Sequence, residues 1–128
     1  MLDIMLVGLS ENDETMFRSD RYFSDNFSLA TFPDLISALK KVVECSDCFL
    51  FIDFDNKDVE RVFTFGNSEG IKNIKHIAVM TKNDSLRNIR EIKRNYINRI
   101  FLKPLDINLI KKSLEPFLED QNYYPCYE

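Results

Sequence analysis

Histidine is nearly missing: the 128-residue chain has one, His76. With a single imidazole there is no Ser-His-Asp or Cys-His arrangement, so hydrolase chemistry of those kinds has little support. Cysteine is scarce, at Cys45, Cys48 and Cys126. The odd number and the lack of a disulfide framework predict a reducing, cytoplasmic setting. Cys45 and Cys48 have the spacing of a redox pair, but such a pair usually opens a helix just after a strand, and here Cys48 begins a strand. No second cysteine pair or histidine cluster is present to complete a zinc site. The two thiols therefore read as small core or near-surface side chains.

Basic stripes are also missing. Lys40-Lys41 and Lys111-Lys112 are local pairs on solvated helix faces, and the net charge is -4, so nucleic acid is not an expected partner. No apolar run approaches the roughly 18 residues of a membrane span. The opening MLDIMLVGLS is short, carries Asp3 and has no basic region ahead of it, unlike a signal peptide. Internal repeats, linkers and low-complexity segments are absent.

What is there is ordinary globular material: 45% hydrophobic and 30% charged residues, enough for one core without staples. One domain is expected over residues 1–120, with 121–128 as a frayed or surface-docked tail. Five short apolar runs read as strands: Ile4-Met5-Leu6-Val7, Ser28 to Phe32, Cys48 to Ile52, His76 to Met80, and Arg99 to Leu102. Near-continuous apolar runs, rather than alternating ones, suit a parallel sheet covered on both faces. Helical patterns lie between them. After Pro33, Leu35, Ile36, Leu39, Val42 and Val43 predict one apolar stripe capped by Asp34. A helix capped by Asp84 would carry Leu86, Ile89 and Ile92. A last helix starts near Asp106 and carries Leu109, Ile110, Leu114, Phe117 and Leu118, and Pro116 is expected to end or kink it. Glu11 to Tyr22 and Lys57 to Phe65 are weaker helical patterns. The order predicts an α/β, doubly wound, five-stranded parallel sheet of the (βα)5 flavodoxin-like class.

In such a sheet, chemistry gathers at the carboxyl ends of the strands. Three polar residues fall there: Asp53 at the end of FLFID, Thr81 in VMTKND, and Lys103 in FLKPLD. A carboxylate can act as nucleophile toward a phosphoryl group. A hydroxyl can hydrogen-bond a phosphoryl oxygen, and a lysine can supply charge to either.

On these three residues, in this order and at these strand ends, the chain resembles the receiver domain of two-component response regulators, the CheY-like family, over essentially its whole length. The resemblance implies that Asp53 is the phosphoacceptor, Thr81 the switch hydroxyl and Lys103 the family's lysine, with a cis bond to Pro104. It also marks the departures. Family members carry an acidic pair after strand one that holds magnesium; the matching positions here are Gly8 and Leu9, which offer no side-chain ligand. Asp55 remains as a weak contributor. Glu11, Asp13 and Glu14 are expected to lie a turn or more beyond the strand end. Lys82 stands where the family has a small residue, Ile100 where it has an aromatic one, and Asn95, Tyr96 and Ile97 replace the small residues before strand five.

The reading is therefore an atypical, pseudo-receiver-like domain of phosphorelay signalling. Magnesium binding is expected to be impaired, and no other cofactor or enzymatic activity is expected. Its partners would be a histidine kinase or a downstream signalling protein. No output segment is expected after residue 120, so output would run through such a partner. Phe63, Phe65, Tyr123, Tyr124 and Tyr127 are candidates for a docking surface. Two alternatives remain. One is a conventional response regulator phosphorylated on Asp53. The other is a flavodoxin-like nucleotide or flavin binder using GLSENDET, where Gly8, Ser10 and Thr15 suit a phosphate loop but the acids would repel phosphate.

Overall fold

The computed structural model describes residues 2–45, 47–56, 73–82 and 97–123, with the side chains of the last helix described through residue 118. The elements, in chain order, are β1 (Leu2–Val7), α1 (Glu11–Ser19), α2 (Arg21–Asn26), β2 (Phe27–Phe32), α3 (Leu35–Val42), β3 (Cys48–Asp53), β4 (Ile74–Thr81), β5 (Arg99–Leu102) and α4 (Ile107–Tyr123). The strands form one parallel sheet in the order β2-β1-β3-β4-β5. The expected helices around Lys57 to Phe65 and after Asp84 fall outside the described residues, as do Phe63, Phe65, Asn95, Tyr96, Tyr124 and Tyr127.

Alternate residues of the central strands feed two separate cores, as the twofold period of a strand requires. Met5, Val7, Leu50, Ile52 and Val79 meet Leu35, Ala38 and Val42 of α3 on one face. Ile4, Leu6, Phe49, Phe51, Ala78, Met80 and Phe101 meet Phe17 of α1, Phe23 of α2, and Ile110 and Leu114 of α4 on the other. All six residues of β3 are buried, because that strand is both central and covered twice. No helix among the described residues is long and apolar enough to cross a membrane.

Three local expectations are corrected. Glu11 to Tyr22 is not one helix. Asp20 takes an extended backbone, ends α1, and accepts from the Tyr22 N–H at 2.9 Å to cap α2. The α3 stripe is Leu35, Ala38 and Val42, while Ile36 and Val43 are exposed; the spacings i, i+3 and i+7 face the sheet more squarely than adjacent pairs do. Asp34 does cap α3, accepting from the Ser37 N–H at 2.8 Å. Finally, α4 runs through Pro116. The ring removes one intrahelical bond, but Phe117 beyond it packs edge-on against Phe49 (4.9 Å between ring centroids) and against His76 (5.5 Å).

The Cys45–Cys48 segment lies at the opposite end of β3 from Asp53. Cys48 is fully buried, and burial first, then its contact with Cys45, pushes its thiol up to about 12. A thiol held protonated is a poor nucleophile, consistent with a packing role.

Candidate functional site

The carboxyl edge of the sheet brings Asp53, Thr81 and Lys103 together. Asp53 is the last residue of β3 and is 4% exposed. Its Oδ1 accepts from the Asp55 N–H at 2.9 Å, and its Oδ2 accepts from Lys103 Nζ at 2.7 Å. The turn that follows is fixed from both sides. Phe54 N–H donates to the Met80 carbonyl at 2.9 Å, and Asn56 Nδ2 donates to the Gly8 carbonyl at 3.1 Å. Lys103 is delivered by the continuation of β5, where its N–H donates to the Thr81 carbonyl at 3.0 Å. The Lys103-Pro104 bond is cis.

Asp55, expected as a weak metal contributor, has a different position. Its Oδ1 accepts from Thr81 Oγ1 at 2.8 Å. Its Oδ2 accepts from the Lys82 N–H at 2.9 Å and lies 3.2 Å from Lys103 Nζ. Thr81 and Lys103 are thus linked through Asp55. Burial works to raise the Asp55 carboxyl, but the bonds from Lys82 N–H, Thr81 and Lys103 outweigh it and hold the group below the usual carboxylate range. Burial likewise works to lower the Lys103 ammonium, and Asp53 followed by Asp55 outweighs it, so the ammonium is held above the usual lysine range. The Lys103–Asp53 contact, at 2.7 Å, lies at the short end of the range for a charge-assisted bond, and the Lys103–Asp55 contact, at 3.2 Å, is longer.

Asp13 also reaches the site, contrary to the expectation for the acids of α1: its Oδ2 is 3.9 Å from Lys103 Nζ. Ser10 caps α1 by accepting from the Asp13 N–H at 3.3 Å, which turns the first helical turn toward the end of β1. In a β-α unit the helix starts where the strand ends, and that rule would have flagged residue 13. The Lys82 N–H and Asn56 have no comparable signal in the sequence, because one acts through backbone and the other through a turn.

The two positions of the absent acidic pair are occupied as follows. Gly8 has φ 69° and its N–H donates to the Phe32 carbonyl at 2.8 Å. Leu9 packs against the core on the Phe17 side. Neither brings an oxygen from a side chain. The carboxylates that do reach the edge, Asp13, Asp53 and Asp55, all face one ammonium, and no group of three or more His, Cys, Asp or Glu poised for a metal is found among the described residues. The Lys103 ammonium occupies the point where these three carboxylates meet.

Beside the site a cleft of about 400 Å³ opens between the ends of β1 and β2, walled by Gly8, Leu9, Glu14, Thr31 and Pro33 among others. The charged group on its wall is Glu14, paired with Arg18 at 3.0 Å. No cation lines it among the described residues.

Comparison with solved structures bears on the architecture. Over 98% of both chains, the protein matches a response regulator receiver modulated diguanylate cyclase from Pelobacter carbinolicus, with a TM-score of 0.69 and 14% identity. It matches a response regulator receiver protein from Dyadobacter fermentans with a TM-score of 0.70 and 18% identity, covering 92% of this chain and 98% of that one. The chain has the receiver fold. No family model matches it, and no curated protein does. Within the receiver fold, the edge that carries Asp53, Thr81 and Lys103 is the one the strand order predicts. Ile100 packs into the α3-side core and Ile97 beside it, so a receiver-type rotating aromatic has no counterpart at position 100.

Proposed function

We propose that the protein is a pseudo-receiver: a signalling module with the receiver fold that acts by binding other proteins and does not depend on magnesium-assisted phosphoryl transfer to Asp53. One observation carries this reading. The potential nucleophile is 4% exposed with both oxygens engaged, and the positions that would supply metal-binding acids are a left-handed glycine and a packed leucine. Phosphoryl transfer leans on a divalent cation to orient and neutralise the phosphoryl oxygens; a single ammonium shared among Asp13, Asp53 and Asp55 supplies less charge. On this reading the module has no catalytic activity of its own, works in the bacterial cytoplasm, and takes its partners from a two-component pathway. The receiver neighbours support the protein-binding role by analogy of fold.

The test is incubation with acetyl phosphate and magnesium, followed by intact-mass measurement. No gain of a phosphoryl group is expected, and Asp53→Asn should leave binding to a physiological partner unchanged. A stoichiometric gain that Asp53→Asn abolishes would instead establish the conventional phosphoacceptor. The convergence of Asp53, Thr81 and Lys103 favours that second reading. The nucleotide or flavin reading finds no such support, since the cleft next to Gly8 carries a carboxylate and no cation among the described residues.

A further inference from the structure

We propose that Asp55 is an internal stand-in for a phosphoryl group, its carboxylate holding the three donors that a phosphoryl group on Asp53 would engage. The proposal rests on the pseudo-receiver reading and gives that reading a cause: the site is already filled.

Three chemically different donors from three places converge on this one side chain. They are the Thr81 hydroxyl at the end of β4 (2.8 Å), the Lys82 backbone N–H in the turn after it (2.9 Å), and the Lys103 ammonium beyond β5 (3.2 Å). A hydroxyl, a backbone N–H and an ammonium form the kind of set that receives an acceptor-only anion. A phosphoryl group is such an anion, and so is an ionised carboxylate. The lowered carboxyl of Asp55 agrees with its being ionised there. The stand-in is also braced to the residue it would replace, because the Asp55 N–H donates to Asp53 Oδ1 at 2.9 Å. A group arriving on Asp53 would have to take these donors from Asp55 and bring a second negative charge against it.

The consequence reaches the surface. Thr81 pairs with Leu102 in the β4–β5 register, and its carbonyl accepts from the Lys103 N–H at 3.0 Å. By holding the Thr81 side chain inward, Asp55 fixes the rim on which Leu102 stands half exposed. That rim is set without any transferred group.

The experiment is solution NMR on the whole chain with no phosphodonor present. In the wild type the Lys82 amide proton should lie downfield and the Thr81 hydroxyl proton should exchange slowly with water. Asp55→Ala should move the amide upfield and speed the hydroxyl exchange. Asp55→Asn, which preserves the side-chain volume, should move both in the same direction by less. Inorganic phosphate is then titrated into each protein. The Asp55→Ala chain should respond at Lys82 and Thr81, and the wild type should need at least about tenfold more phosphate for the same response. An unchanged Lys82 amide in both variants, or a wild type that titrates as readily as Asp55→Ala, would overturn the proposal. If Asp55→Ala does not fold, Asp55→Asn carries both readouts. Neither readout involves phosphoryl transfer. Phosphorylation of the wild type would therefore sink the pseudo-receiver reading while these spectra still decided the role of Asp55.

Discussion

The ammonium of Lys103 stands 2.7 Å from Asp53 Oδ2, the closest ion-pair contact of a carboxylate that is itself only 5% exposed at the side chain. The two residues are far apart in sequence and meet only because β3 and β5 end on the same edge of the sheet. Removing one partner of such a pair leaves a charge in a site that water barely reaches, which is costly even where the pair as a whole adds little net stability.

Lys103→Met is therefore expected to destabilise the fold by about 3 kcal/mol, read as a drop in the urea midpoint at unchanged slope. Lys41→Ala serves as the internal control. Lys41 pairs with Glu44 at 2.9 Å, but both side chains are more than half exposed, so its loss should leave the midpoint almost unchanged. Equal effects of the two substitutions would contradict the buried character of the Asp53 pair.

Gly8 supplies a second expectation. At φ 69° a residue with a Cβ clashes with its own backbone, and asparagine tolerates the region better than alanine does. Gly8→Ala should lower stability by about 1–2 kcal/mol and Gly8→Asn by less. Thermal unfolding of the two variants under one buffer condition measures the order. If alanine proves the milder substitution, position 8 is not held in the left-handed region in solution.

These residues also show which parts of the molecule the sequence makes legible. The sheet was readable because its strands are covered twice and so appear as continuous apolar runs such as FLFI. Strand ends then located Asp53, Thr81 and Lys103 without further information. What escaped was set by tertiary contact. Asp20 breaks a helix because its side chain caps the next one and pairs with Lys111 at 2.7 Å. Asp55 looked like a spare metal ligand because its spacing places it at the edge, whereas its actual partners, a hydroxyl and an N–H, belong to a strand end that is remote in sequence. Pro116, expected to end or kink the last helix, does not end it, and Phe117 just beyond it packs on Phe49 and His76.

That packing is itself testable. Pro116 is exposed, so Pro116→Ala should restore the missing intrahelical bond without disturbing the core and raise stability by about 1–3 kcal/mol. Phe117→Ala should do the reverse, by about 2–4 kcal/mol, through the lost contacts with Phe49 and His76. Differential scanning calorimetry of both variants decides whether the helix beyond the proline is held by packing. A neutral Phe117→Ala would show that it is not.

His76 gives the chain a pH dependence with a defined direction. The ring is 6% exposed, its Nε2 has no hydrogen-bond partner among the described residues, and it sits between Phe49 and Phe117. Burial first, and the nearby Arg99 guanidinium second, lower it from 6.5 to about 4. The folded state therefore prefers the neutral ring. Above pH 6.5 neither state is protonated, and the residue contributes no pH dependence. Between 6.5 and about 4 the unfolded chain binds a proton that the folded chain does not, so stability falls as pH falls. Over that window the loss can reach about 3 kcal/mol, at 1.36 kcal/mol for each pKa unit, and it levels off once the folded ring protonates too. Asp55 acts in the same direction only lower down: its carboxyl is held below the usual range and adds stability that is lost as pH falls through its own folded value. His76→Phe places an apolar ring between the same two aromatics and removes the titrating group. Urea unfolding from pH 7.5 to 4.5 should show a decline in the wild type and a much flatter profile in His76→Phe across the upper part of that range. Parallel profiles would mean that His76 takes up its proton without opposition from the fold.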